Sequence, residues 1–184
     1  MTYLTIDTQE NIRSAFEQLL GAMVERSDQA AVKLVPSERR PVLVLAVNRC
    51  DYGAVLGKSH STLDALKLLA AMAGNRYGLE VELMLDSSYA ADDGSVRRGF
   101  KAAADWDGEP LEKLATLFCC ALLGPCQVSL AAVSSSSSRL TVTPTTVNDI
   151  EDDDVEISLE KALGLVFNCA GAMQGRRVTV ELVA

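Results

Sequence analysis

The chain has few aromatic side chains and no long apolar run. Aromatic residues make up 5% of its 184 residues, although 48% of all residues are hydrophobic. The core must therefore be mainly aliphatic, and the length suffices for one ordinary domain or two small ones. No stretch approaches the roughly 18–20 consecutive apolar residues that a membrane span needs. The first ten residues lack the pattern of a signal peptide, so we expect a cytoplasmic protein that does not enter a membrane.

Cysteine and histidine are too few and too irregularly spaced to indicate a metal site or a disulfide framework. The five cysteines include no C-x-x-C pair, and His60 is the only histidine. We therefore expect reduced thiols, with Cys119 and Cys120 in the core, no metal and no other cofactor. The sequence also lacks a Walker loop, a dinucleotide fingerprint and a G-x-S-x-G elbow, so we do not expect an enzyme.

An excess of positive charge is missing as well. The formal net charge is −8, with −3 on residues 1–108 and −5 on residues 109–184. Proteins that bind nucleic acid over a broad surface usually carry a basic footprint. The composition therefore argues against a general nucleic-acid binder and leaves room only for a local basic patch.

What the sequence does contain is an internal repeat at an offset of 97 residues, without a gap from residue 43 to residue 83. The clearest pairs are Leu43 and Leu140, Ala65-Leu66 and Ala162-Leu163, Ala73-Gly74 and Ala170-Gly171, and Gly78 and Gly175. A match of this length with glycines in phase indicates a duplication. We predict a first module over residues 1–88, a linker over residues 89–108 and a second module over residues 109–184.

The apolar spacing predicts the order α-β-β-α-α-β in each module. The fold class is therefore α+β, with two tandem modules, each a three-stranded sheet that has helices on one face. The first helix is predicted to start at Gln9, with Thr8 or Asn11 as its N-cap. Gly74 is predicted to end the long helix of the first module as a C-cap glycine. Residues 148–157 are predicted to be a loop, followed by a helix from Ser158.

One segment of the first module resembles a known family. Residues 51–66 have the sequence DYGAVLGKSHSTLDAL, which is similar to the D-x-G-x-x-I-G-[KR]-x-G-x-T-[LI]-x-A-L segment of small bacterial K-homology (KH) RNA-binding proteins. The predicted element order resembles that of the prokaryotic, type II KH domain. The tandem arrangement is similar to the paired KH domains of the transcription factor NusA. The resemblance is confined to these sixteen residues, and the second module is linked to it only through the repeat.

The resemblance implies a role for the loop Gly57-Lys58-Ser59-His60. In KH domains, a G-x-x-G loop clamps about four nucleotides of a single strand. Glycine lets a phosphate approach closely, and the following helix offers free N–H groups to an anion. We therefore expect single-stranded RNA, or single-stranded DNA, to contact Gly57, Lys58, Ser59 and His60, with Arg49 beside the groove. His60 stands where the family has a second glycine, and the alternative is a loop that only connects two helices.

The second module departs from this pattern. Residues 154–157, which correspond to Gly57–His60, are Asp-Val-Glu-Ile, and residues 151–156 contain five acidic residues. Clustered carboxylates repel phosphate, so we expect no RNA contact at this place. Acidic residues before a helix also favour its dipole. The alternative for the whole chain is a protein-interaction or assembly protein with a KH fold that no longer binds nucleic acid, in which the acidic second module contacts a protein partner.

Overall fold

The computed structural model describes residues 2–86, 108–145 and 153–183, with side chains from residue 7 and, after the second gap, from residue 158. The first half comprises α1 (Thr2–Met23), β1 (Ala31–Val35), β2 (Val42–Ala46), α2 (Tyr52–Leu56), α3 (Ser61–Asn75) and β3 (Glu82–Leu85). The second half comprises α4 (Glu109–Leu123), β4 (Cys126–Ser134), β5 (Ser137–Pro144), α5 (Asp153–Met173) and β6 (Arg177–Leu182). The α+β class is confirmed. In the second half, the counterpart of the short helix by the offset of 97 residues is residues 148–153, of which only residue 153 is described, as the first residue of α5.

The two sheets have the same topology. Each has the strand order of the chain, with its first two strands antiparallel and its last two parallel. The parallel pairs also share their register: Leu43 lies opposite Leu83, and Leu140 lies opposite Val180. Both pairs differ by the 97 residues of the sequence repeat. The first strands of the two hairpins, β1 and β4, are instead equivalent at an offset of 96 residues: Leu34 pairs with Leu43, and Leu130 pairs with Leu140. The difference of one residue arises because the second hairpin is one residue longer and contains a bulge after Ala132.

Two pairs of glycines have equivalent structural roles. Gly74 and Gly171 lie inside α3 and α5, where an added Cβ would strike the Cγ2 methyl of Val81 and of Val178, respectively. The absence of a side chain therefore lets each helix lie close to the segment that follows it. Gly78 and Gly175 have φ angles of 68° and 72° and form the turns after these helices.

The helices of the two halves pack against each other. α1 contacts α4 and α5, and α3 contacts α5 and α4. Phe118 lies between Phe16 and Phe167 in edge-to-face geometry, with ring centroids 5.2 and 6.1 Å away. Such aromatic pairs contribute about 0.5–1.5 kcal/mol beyond the burial of their area. The buried residues of both halves thus form one hydrophobic core.

The first helices of the two halves bury matching positions at an offset of 99 residues. These pairs are Ile12 and Leu111, Phe16 and Ala115, Leu19 and Phe118, Leu20 and Cys119, and Met23 and Leu122. The side chains differ within the pairs, whereas the spacing of these five buried positions is the same in both helices. The structural equivalence of the two halves therefore extends upstream of the gap-free sequence repeat.

Three predicted boundaries are wrong. α1 begins at Thr2 instead of Gln9, because no glycine or proline precedes Gln9 and threonine costs only a few tenths of a kcal/mol in a helix, about 0.7 at most. α5 begins at Asp153, five residues before Ser158, since acidic residues are favourable in a first helical turn. Gly74 lies inside α3, which continues to Asn75. The residue with positive φ in the following turn is Gly78.

Within the described residues, no helix combines the length and the hydropathy that crossing a bilayer requires. The predicted limits of the modules stay a prediction, because residues 87–107, which contain almost the whole predicted linker, lie outside the described part.

Candidate nucleic-acid interface

The candidate loop begins at the end of α2, a helix whose first turn is fixed by buried polar side chains. The carboxylate of Asp51, which is 3% exposed, accepts the backbone N–H groups of Glu25 and Arg26 at 3.0 and 3.2 Å. The side-chain amide of Asn48 donates to Gln29 Oε1 at 2.6 Å. These bonds attach the start of α2 to the chain that follows α1. The similarity to the KH segment included Asp51, whereas Asn48 lies outside it and no sequence signal marked it.

A residue of the second half of the chain contacts α2. The Sγ atom of Cys169, on α5, lies 3.7 Å from the carbonyl oxygen of Met23 and 3.8 Å from that of Ala54. Burial, with a smaller contribution from the negative charge of Asp51, raises the pKa of Cys169 to about 11. The thiol is therefore protonated at neutral pH and serves as a weak donor in this contact.

Gly57 gives the loop its shape. Its φ and ψ angles are 71° and 175°, a combination that only glycine adopts readily. A Cβ at this position would lie 2.7 Å from the backbone nitrogen of Thr62 and would also strike the Thr62 hydroxyl. The side of Gly57 that lacks a side chain is thus filled by Thr62, on the first turn of α3. Gly57 is required by packing, and its missing Cβ does not open a path to a phosphate from that side.

The next three residues form an exposed 3-10 turn. Lys58, Ser59 and His60 are all exposed, and the backbone N–H of His60 donates to the Gly57 carbonyl at 3.3 Å. Ser59 and His60 have φ angles of 53° and 67°. His60 therefore adopts the left-handed conformation that glycine favours, at the position where the KH pattern has its second glycine. Histidine is among the residues that tolerate this region better than most.

The turn leads directly into α3, a helix of 15 residues. No side chain caps its start, so the first N–H groups of α3 lie beside the exposed turn. Such groups and the helix dipole favour an anion by about 0.3–1 kcal/mol per interaction. Lys58 adds a positive charge, whereas the exposed carboxylate of Asp64 opposes it from the first turn of α3.

The other predicted cation, Arg49, is also exposed but lies before α2. α2 has five residues, which corresponds to a length of about 7.5 Å. The structure thus brings Gly57, Lys58, Ser59 and His60 together in one turn and places Arg49 at the opposite end of α2. Of the acidic segment of the second half, residues 151 and 152 lie outside the described part, and residues 153–156 are described only as helical backbone.

A comparison of the chain with protein-family models gave no match, and a comparison with curated proteins gave no significant match.

Proposed function

We propose that the chain is a non-catalytic, cytoplasmic protein that binds single-stranded RNA through the turn formed by Gly57, Lys58, Ser59 and His60, as its resemblance to type II KH domains implies. The observation that carries the proposal is the shape of this turn. It is exposed, it contains a cation, and its last two residues have left-handed backbone angles immediately before the uncapped start of α3. This is the combination with which a phosphate-binding loop meets a helix.

Because Thr62 fills one side of Gly57, the contacts to phosphate are assigned to the turn itself. Lys58 supplies the charge, the N–H groups at the start of α3 supply directed donors, and the Ser59 hydroxyl supplies a further donor. His60 stands at the rim, at the position where the KH pattern has its second glycine, and a glycine there would let the phosphate backbone approach more closely. Single-stranded DNA also offers phosphates and bases. We therefore expect the protein to bind DNA more weakly than RNA only if it contacts a 2′-hydroxyl group.

A comparison of Lys58→Glu with Lys67→Glu tests this assignment. Both lysines are exposed and both variants change the net charge equally, but Lys67 lies on α3 beyond the turn. Fluorescence anisotropy with a labelled single-stranded RNA would be measured over a salt series. Lys58→Glu is expected to weaken binding more and to reduce the slope of log K against log salt by about 0.7 to 1, as for one lost phosphate contact. Equal effects of the two variants would place the binding surface elsewhere.

The alternative function is that of a protein-interaction or assembly protein, and the net charge of −8 favours it. In this case the second half, with a net charge of −5, would contact a basic protein partner. His60→Gly separates the two functions, because it restores the glycine of the KH pattern in a backbone conformation that suits glycine. If the chain binds RNA, this variant is expected to bind at least as tightly as the wild type. If neither protein binds RNA at low salt, the assembly function is favoured.

A further inference from the structure

Two cysteines that are separate in the sequence meet at the end of α4. Cys120 lies in the last turn of this helix, Gly124 ends the helix with a φ angle of 88°, and Pro125 precedes the start of β4 at Cys126. The reversal of the chain places the Sγ atoms of Cys120 and Cys126 3.4 Å apart. Both residues are half-buried. A disulfide bond needs about 2.0 Å between the sulfur atoms, so only a small shift separates the two thiols from bonding.

The fold does not require sulfur at either position. The offset of 99 residues between the first helices makes Gly21 the equivalent of Cys120, and the offset of 96 in the hairpins makes Ala30 the equivalent of Cys126. The first half thus forms a helix end and a strand start at the equivalent positions without either thiol, through a longer connection that contains a 3-10 turn at Ser27–Gln29. Cys119 differs in this respect, because its equivalent is the buried Leu20. Cys119 is therefore a packing residue, whereas Cys120 and Cys126 occupy positions that the first half fills without sulfur, although Cys126 also packs against the edge of the core.

We propose that Cys120 and Cys126 form a reversible disulfide by exchange with a small-molecule disulfide of the glutathione type. In the first step, the Cys120 thiolate attacks one sulfur of the small disulfide and releases one small thiolate, which leaves a mixed disulfide on Cys120. In the second step, Cys126 gives its proton to the solvent and attacks the Cys120 sulfur, releasing the second small thiolate. The small disulfide gains two electrons, and the two released thiolates take up the two protons that the protein lost.

The order of attack follows from access to the two thiols. Cys120 lines an open depression along α4 together with Lys113, Thr116 and Leu117, whereas Cys126 does not line it. Burial also raises the pKa of Cys126. Cys126 is thus a poor first nucleophile at neutral pH and reacts only when an activated sulfur is held against it. Burial also raises the pKa of the fully enclosed Cys119, which takes no part.

The cysteine pair lies beside a contact between the two halves of the chain. Arg76, which follows α3, donates to the carbonyl oxygen of Cys120 at 3.5 Å and packs against Gly124. A disulfide would fix the last turn of α4 to β4 directly beside this contact. This inference does not depend on the RNA-binding proposal, because it uses none of the residues of the turn at positions 57–60.

The test uses the intact protein in a series of ratios of reduced to oxidised glutathione. The reaction is quenched with acid, free thiols are alkylated after unfolding, and the protein is analysed by mass spectrometry. The expected result is the loss of two of the five alkylatable thiols, without bound glutathione at the highest disulfide concentration. Chymotrypsin cleaves after leucine, and cleavage after Leu123 separates the peptide that carries Cys120 from the one that carries Cys126. The two peptides are expected to be joined until the sample is reduced.

Cys126→Ala is the matched variant, because it copies Ala30 of the first half. It is expected to stop at the first step and to carry one glutathione on Cys120. Cys50→Ala removes a thiol that hydrogen-bonds to Asn48 and should leave the Cys120–Cys126 link intact. The proposal is overturned if, in the wild type, Cys120 and Cys126 stay alkylatable while Cys50 is modified. A link through Cys119, or separate glutathione adducts on Cys120 and Cys126, would overturn it as well. These outcomes are measured on the wild type, so they stand even if a variant fails to fold.

Discussion

Replacing Gly57 by alanine tests the geometry on which the candidate interface depends. The φ and ψ angles of Gly57 are 71° and 175°, and holding a residue other than glycine there costs about 1–3 kcal/mol. The new Cβ would also lie 2.7 Å from the backbone nitrogen of Thr62. A side chain can rotate away, but this nitrogen belongs to the first turn of α3. Relieving the contact therefore requires a backbone shift, which costs a further amount of about 1–3 kcal/mol.

We expect Gly57→Ala to lower the free energy of unfolding by about 2–6 kcal/mol in total. Two other glycines serve as graded controls. Gly78 has a φ angle of 68° but no atom within 4 Å of an added Cβ, so Gly78→Ala should cost only about 1–2 kcal/mol. Gly164, inside α5, has neither a positive φ nor a close neighbour, so Gly164→Ala should stabilise the protein by about 0.5–1 kcal/mol.

Urea unfolding monitored by circular dichroism would give the three values at a common slope. The order Gly164→Ala, wild type, Gly78→Ala, Gly57→Ala is expected from the most stable to the least stable protein. The reasoning is refuted if Gly57→Ala costs no more than Gly78→Ala, because the contact with Thr62 would then have no energetic weight. Thr62→Ala in the Gly57→Ala background should restore only part of the loss, since it leaves the backbone nitrogen in place.

Three further predictions concern other parts of the chain. Gly74→Ala should destabilise more than Gly171→Ala in urea unfolding, because the added Cβ meets a backbone oxygen at 2.6 Å in the first case and at 3.0 Å in the second. The raised pKa of Cys169, about 11, stabilises the native state below the unfolded pKa of about 8.5, and this contribution is lost as the pH rises through the folded pKa. Stability should therefore fall less steeply with pH in this interval in Cys169→Ala than in the wild type. His60→Gly should change the free energy of unfolding by less than about 1 kcal/mol, because relief of the left-handed strain offsets the greater freedom of glycine in the unfolded chain.

The repeat could be predicted because it is visible in the sequence without any knowledge of the fold. The offset of 97 residues found in the sequence is the offset of the parallel strand register in the structure. The first residues of the long helices α1 and α5 were predicted less accurately. Neither α1 nor α5 has a strong signal at its observed first residue, and acidic residues such as Asp153 are common both in loops and in first helical turns.

Contacts between residues that are not adjacent in the sequence were harder to predict. The sequence identified the turn at Gly57 through its resemblance to a known segment, but it assigned the glycine to phosphate access. The structure shows that Thr62 occupies the space beside it. The meeting of Cys120 with Cys126 was also missed. The signal was present in the Gly124-Pro125 turn between them, which ends a helix and reverses the chain.

In a duplicated fold the two halves can be compared with each other, because features that packing requires should occur in both halves. Gly74 and Gly171 meet this criterion, as do the buried positions of α1 and α4. The turn at residues 57–60 does not, since its equivalents by the offset of 97 residues, 154–157, lie within the continuous helix α5. The second half thus contributes to the shared core without such a turn. Its exposed cation, its two left-handed residues and its fixed glycine are therefore features of the first half alone, and a function that depends on them should be lost from a protein whose turn is replaced by residues 154–157.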